Sequence, residues 1–415
     1  MSEPASQPNE MRTNSLSSST NAALNAVLAE HLGETFPAVA LAVYHRGSVI
    51  VESAWGYLDP ITEIPLTSDA LFDMASVTKL FTTTAMLSLL SERKADLQTP
   101  LVEIVPEFGA ISPRGIDGGQ DPHSKKHLPT PRELADVQVD PAQVTLFHLL
   151  THTSGLPPWR DVFNAAGLAP MPPNVPDPID QPTRWQHGLE AMCQYQFVGE
   201  PDGVVRYSDI GLMLLGEAAT RLHGTLSQLE PMIQERVLDK LGLSDAMFNP
   251  VRSGRATQMQ TVPTEIDATW RKRRAWGEVH DENACGLGGI AGHAGLFATA
   301  SAIAEFGQAW LDGAGAFGIT PELAQQSKQQ QASTDGNPRG LGFLLKSKEG
   351  SSAGDVFSDS SYGHTGFTGT SMWIDPEREL VVALLTNRVY PGREKPGIHA
   401  FRRAMHDLLA REVDG

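Results

Sequence analysis

Ser76 and Lys79 stand three residues apart at the head of a mostly apolar run, Leu80 to Leu90. On a helix, positions i and i+3 share a face, so the amine can reach the hydroxyl. An amine beside a serine is one way to make a weak nucleophile reactive. The spacing alone is equally met by a serine cap followed by a solvated lysine, so partners elsewhere must decide. Tyr207, in Tyr207-Ser208-Asp209, is one. A phenol held near an ammonium is drawn toward phenolate, and can then take the serine proton or return it to a leaving group. The same residues also suit a core tyrosine followed by an Asp209 helix cap. A third candidate is Gly363-His364-Thr365-Gly366-Phe367-Thr368-Gly369, whose glycines let backbone approach a ligand beside a strand.

The elements that must position these groups lie at both ends of the chain. A first helix is expected over 21–32. The β-rich run Ala38–His45 turns at Arg46-Gly47 into Ser48–Ala54, which reads as a hairpin. Strand character returns at Gly340–Leu345, Thr370–Asp375 and Leu380–Thr386, and a closing helix covers 398–410. Between them lie helical segments at 146–150, 184–197, 210–222 and 226–241. Two Gly- and Pro-broken stretches, 109–143 and 157–182, read as surface insertions or lids. The expected fold class is therefore α/β (α+β): an antiparallel sheet built from both termini and flanked by helices. The expected division is a disordered tail over 1–19, a sheet domain over 20–92 plus 284–415, and a mostly helical insert over 93–283.

Bulk properties narrow the function. The 415 residues carry 32 basic and 49 acidic side chains, a formal net charge of −17. That balance argues against nucleic acid or an anionic membrane as partner. No segment approaches the roughly 18 consecutive apolar residues of a spanning helix, and no secretory h-region is visible, so a cytoplasmic location is expected. Cys193 and Cys285 lack any C-x-x-C companion and read as reduced packing residues. H-E-x-x-H does not occur, which disfavours a zinc protease. The oligomeric state is left open.

Ser-x-x-Lys, Tyr-x-Asp and His-Thr-Gly, in that order, resemble the three motifs of the class C β-lactamase and penicillin-binding-protein superfamily of serine hydrolases. Leu149–Leu156 (L-L-T-H-T-S-G-L) and the glycine-rich Gly286–Ala300, containing G-H-A-G-L-F, resemble two further segments of that family. The five matches span Ala38 to Asn387. The resemblance implies a serine β-lactamase-like fold and an acyl-serine intermediate formed on a small ester, amide or peptide, with no metal or organic cofactor needed. It implies Ser76 as nucleophile, Lys79 and Tyr207 sharing the proton traffic, and an oxyanion hole from the Ser76 and Phe367 N–H groups. His364, Thr365, Gly366 and Asp209 would contact substrate.

Two departures bear on the substrate. Where lactamases carry lysine in the third motif, His364 is only partly charged at neutral pH, so binding of a substrate carboxylate should weaken or become pH-dependent. Histidine there resembles the D-aminopeptidase and peptidoglycan-amidase branches. Asp209 replaces the usual asparagine, cannot donate to a substrate carbonyl when ionised, and would hold Lys79 as an ammonium, leaving Tyr207 as base. Both weigh against an efficient β-lactamase. The alternatives are a D-Ala-D-Ala carboxypeptidase or muropeptide amidase and, of another class, a non-catalytic binding protein. His280, Asp281 and His293 are candidates for lining the site; His280-Asp281 also reads as an acid–base pair or a structural hydrogen bond. His152 reads as structural.

Overall fold

Along Ala38–His45, small and branched apolar residues alternate, and the strand period of two sorts them to opposite faces. Val39, Leu41 and Val43 point into a layer with Leu24 and Leu28 of the Ser18–His31 helix and Phe401, Met405 and Leu409 of the Ile398–Asp414 helix. Ala38, Ala40 and Ala42 face the other way, toward Ile303, Phe306 and Trp310 of the Ala300–Leu311 helix. Gly307 lets that helix sit close: a Cβ there would lie 2.5 Å from Val381 Cγ1. The structure, a computed structural model, describes residues 9–122 and 124–415.

The sheet is antiparallel with ten strands. From one edge the order is Glu10–Asn14, Ser48–Asp59, Ala38–His45, Leu380–Thr386, Ser371–Asp375, Tyr362–Thr365, Leu344–Leu345, Asn337–Arg339 and Ala332–Thr334, with Ile64–Pro65 beside Ser48–Asp59. Its centre joins the two ends of the chain, with seven residue pairs running from Leu380↔His45 to Thr386↔Val39. A second, three-stranded sheet places Leu296–Ala298 between Phe72–Asp73 and Ala246–Phe248. The Thr78–Ser91 helix is buried on nearly every side and packs on the Asp209–His223 helix, so one apolar core runs from the large sheet into the helical region.

Three local expectations change. The polar segment read as part of a disordered tail contains an edge strand, Glu10–Asn14, paired with Val51–Ala54; Met1 to Pro8 lie outside the described residues. Its side chains are largely solvated, so backbone hydrogen bonds place it without a hydrophobic pattern. The expected strand 340–345 shortens to Leu344–Leu345, because Gly342 adopts φ +76° and lies against Thr83, where a Cβ would meet Thr83 Oγ1 at 2.2 Å. The expected helix 226–241 is three short pieces with a π-turn at Gln234–Leu238. Cys193 and Cys285 are buried and unpaired, and burial pushes both thiols up to about 12, which keeps them unreactive. Among the described residues no helix is long and apolar enough to cross a membrane.

Candidate active site

Ser76 occupies a tight turn, Ala75–Val77, that feeds the Thr78–Ser91 helix. Lys79 falls in the first turn of that helix, fully buried, and its Nζ donates to Ser76 Oγ at 2.8 Å. The entry to the turn is strained. Ala75 has φ +46°, a left-handed conformation that costs a non-glycine residue about 1–2 kcal/mol. Its N–H donates to Asp73 Oδ1 at 2.8 Å, a charge-assisted bond worth about 1.5–3 kcal/mol, enough to offset the strain.

Tyr207 and Asp209 arrive from the start of the Asp209–His223 helix. Ser208, not Asp209, caps it: Ser208 Oγ accepts from Gly211 N–H at 3.0 Å and donates to the Pro157 carbonyl at 2.7 Å. Asp209 is thereby free to face Lys79, with 2.8 Å between Oδ1 and Nζ. Lys79 Nζ also donates to the His293 carbonyl at 3.2 Å and lies 4.8 Å from the centre of the Tyr207 ring. His152 holds the other side of Tyr207. Its Nδ1 accepts the Ser208 N–H at 3.1 Å, and its ring packs on the tyrosine at 4.7 Å. Burial first, then the charges of Arg339 and Lys79, hold His152 neutral, well below the usual histidine range.

Electrostatics set the resting protonation. Burial pushes the Lys79 ammonium down, but the Asp209 carboxylate and the Tyr207 oxygen outweigh it, and its pKa ends above the ordinary value. Burial raises the Tyr207 hydroxyl; Lys79 opposes this, Asp209 adds to it, and the net shift is upward. The lysine-lowered tyrosine expected from sequence is thus corrected: burial costs the phenolate more than Lys79 returns, and Asp209 adds to that cost. At neutral pH Lys79 rests as an ammonium and Tyr207 as a phenol.

His364 needs a similar correction. It lies on the Tyr362–Thr365 strand, 3% exposed, with its ring 5.9 Å from that of Tyr207. Burial, Lys79 and Arg339 push its pKa down to about 3, so it is neutral and not partly charged. Its Nδ1 bonds the Thr365 carbonyl at 2.8 Å, which requires the proton on Nδ1 and leaves Nε2 buried without a partner. The loop after it turns back sharply, with Gly366 N–H donating to the Thr370 carbonyl at 2.7 Å. Only glycine fits at 366, since a Cβ would meet Thr370 Oγ1 at 2.2 Å and the Met74 carbonyl oxygen at 2.5 Å. Phe367 sits at the tip, 38% exposed.

Two depressions meet at Ser76. One is bounded by Trp159, Tyr207, Asp209, Asp281, Glu282 and Phe367, with Pro122 of the first insertion at its rim. His280 and His293 also line it, so all three candidates from the 280–293 stretch reach the cleft. Asp281 pairs with His293 Nε2 at 2.8 Å and not with its neighbour His280, which corrects the adjacent-pair reading. Glu282 meets Arg393 at 2.8 Å and Lys125 of the insertion at 3.7 Å. The other depression is bounded by Thr365, Gly366, Arg339, Arg388 and Arg402. These arginines carried no sequence signal, because sheet register and helix packing, not a motif, deliver them to the groove. Trp185 and Trp270 lie outside both depressions.

Asp209, Asp281 and His293 offer the one grouping of potential metal-ligating atoms among the described residues, within 4.8 Å of one another. The Lys79 ammonium at 2.8 Å already supplies Asp209 with a cation, which opposes a metal ion at the same place.

The same arrangement has relatives. The family model described as Beta-lactamase matches residues 24–404. A protein of Escherichia coli (strain K12) named "Putative D-alanyl-D-alanine carboxypeptidase" is 28% identical over 375 residues, covering 85% of this chain and 79% of that one. A protein of the same name from Salmonella agona (strain SL483) is 25% identical over 387 residues, covering 88% and 82%. Among solved structures, unliganded simvastatin synthase (LovD) of Aspergillus terreus superposes with a TM-score of 0.68 at 17% identity, over 96% of this chain and all of that one. A penicillin-binding protein homolog from Caulobacter crescentus gives 0.66 at 17%, over 97% and 100%. EstCE1, a hydrolase with promiscuous acyltransferase activity, gives 0.65 at 17%, over 94% and 98%. With sheet order, motif order and family match in agreement over nearly the whole chain, it belongs to the Beta-lactamase family and is a serine hydrolase.

Proposed function

We propose that Ser76 is the nucleophile of an ester or amide hydrolase, with Lys79, Asp209 and Tyr207 as its proton machinery. The observation that carries this is the position of Lys79 Nζ, 2.8 Å from both Ser76 Oγ and Asp209 Oδ1 in a fully buried setting. Asp209 fixes the lysine as a cation, so the base is the phenolate form of Tyr207, drawn from a small population. Ser76 Oγ attacks the carbonyl carbon as its proton passes to the Tyr207 oxygen. The tetrahedral oxyanion is met by the N–H groups of Ser76 and Phe367. Collapse expels the leaving group, which takes the proton back from Tyr207. Water then repeats the sequence on the acyl-serine and releases the acid.

The arginine-lined groove favours a more specific reading, a peptide-like substrate with a free carboxylate, as the names of the curated relatives suggest. Among the described residues, Arg339, Arg388 and Arg402 form no ion pair with a carboxylate. Arg402 holds the Gly366 and Thr370 carbonyls, Arg388 holds those of Phe367 and Arg393, and Arg339 Nε is buried without a partner. Arg339 in this reading supplies the cation that neutral His364 does not. The test is turnover of p-nitrophenyl esters, nitrocefin and D-amino-acid amides by wild type and Ser76→Ala. The proposal expects Ser76-dependent hydrolysis of the esters or amides with little of nitrocefin; turnover that survives Ser76→Ala contradicts it.

A further inference from the structure

We infer that Asp73, a buried carboxylate outside the three motifs, is the positioning residue of the oxyanion hole. The inference rests on the reading of the Ser76 and Phe367 N–H groups as the oxyanion donors. Asp73 belongs to the two-residue strand Phe72–Asp73 and is 2% exposed. Its two oxygens reach in different directions. Oδ1 accepts the Ala75 N–H at 2.8 Å and holds the left-handed residue just before Ser76. Oδ2 accepts the His280 N–H at 2.5 Å. The His280 ring stacks on the Phe367 ring with 5.7 Å between centres, so this second arm reaches the residue that carries the other donor.

The backbone of the same segment completes the frame. The Asp73 carbonyl accepts Thr368 Oγ1 at 2.8 Å, and the Met74 carbonyl accepts Thr370 Oγ1 at 3.0 Å. The loop carrying Phe367 is therefore tied at two points to the strand that leads into the nucleophile turn. Both donors take their positions from one short stretch, and its carboxylate holds the N–H just before Ser76 and the His280 N–H together. Oxyanion stabilisation depends on donors fixed in advance, so small displacements cost rate and leave substrate binding nearly unchanged.

The arrangement needs an ionised carboxylate. Each oxygen faces an N–H, and a proton on either one sets donor against donor. Burial pushes Asp73 up to about 6; the His280 and Ala75 N–H groups oppose this, the like charge of Asp281 adds to it, and Arg271 opposes it. Arg271 itself holds the Val279 and His280 carbonyls. His280, which burial drives down to about 4, is neutral over this range, and Glu265 and Arg393 lie on its far side. Asparagine at 73 copies the protonated acid, with one acceptor and one donor in nearly the same volume.

The test is kcat and KM for a p-nitrophenyl ester against pH, in wild type and Asp73→Asn, with Ser76→Ala as the blank. The expected result is that Asp73→Asn lowers kcat about 30-fold while KM moves less than about threefold. In wild type the acid-side fall of log kcat steepens below about pH 6, and in Asp73→Asn that steepening is absent. A variant with wild-type kcat, or one that keeps the steepening, overturns the inference. If Asp73→Asn does not fold, the wild-type profile decides, and a straight line through pH 6 overturns it. Turnover surviving in Ser76→Ala would instead strike the nucleophile reading, so the two failures are distinct.

Discussion

The two sides of the cleft handle charge in opposite ways. On the side of Trp159, three carboxylates line the depression that reaches Ser76, and each has a cationic or imidazole partner: Asp209 with Lys79, Asp281 with His293, and Glu282 with Arg393 and Lys125. On the side of Thr365, three arginines face the groove, and backbone carbonyls or nothing at all stand where carboxylates would. Buried charges are costly unless paired, so pairing shows what is complete and its lack shows what awaits a ligand. In the proposed reading the first side is the proton machinery, and the second keeps its positive charge for substrate.

Breaking the first side should give the largest effects. Lys79→Ala should lower kcat about 10³-fold or more, because it removes the cation beside Ser76 and leaves Asp209 a half-buried, unpaired carboxylate. Steady-state kinetics on a p-nitrophenyl ester measures this; a loss under tenfold would place the proton machinery elsewhere. Tyr207→Phe should cost about 10²-fold in kcat, with the overall fold retained by circular dichroism.

A pH profile sharpens the same side. Both Lys79 and Tyr207 sit above their ordinary values, and the reactive form carries one proton fewer than the resting form. Activity must therefore rise with pH. Above pH 7, log kcat/KM should climb by about one unit per pH unit and level only beyond the ordinary tyrosine value of about 10. A plateau between pH 7 and 9 would mean that a different group accepts the proton.

The second side yields smaller, more selective effects. Arg339→Gln should lose about tenfold of the preference for a substrate ending in a free carboxylate over its methyl ester, read as a ratio of kcat/KM values. An unchanged ratio would free the groove from that role. The smallest expected effect is none: because His364 is neutral with a pKa near 3, the same ratio should stay level between pH 6 and 8. A change of threefold or more there would restore the partly charged histidine.

This contrast also separates what was legible in sequence. The Ser76–Lys79 spacing reports a helix face, and Tyr207 and His364-Thr365-Gly366 stand out by type and order, so the motif residues on both sides of the cleft could be read from sequence. The large sheet was legible too, since Ala38–His45 and Leu380–Thr386 carry dense apolar patterns. Arg339 was not: it enters the groove through its sheet register opposite Ala332 and Leu344, a relation set by turns and not by composition. Asp281 lies beside His280 in sequence, yet folding turns it to His293. The edge strand Glu10–Asn14 buries too little to leave a pattern. The protonation states of Tyr207 and His364 come from burial, which no motif records.

The most direct measurement of the central claim is the site of covalent modification. Wild-type protein treated with a fluorophosphonate is digested, and the modified peptide is identified by mass spectrometry. The account predicts a single phosphonyl adduct on Ser76, absent from Ser76→Ala and slowed in Lys79→Ala and Tyr207→Phe. An adduct on any other residue, or equal labelling of Ser76→Ala, contradicts it.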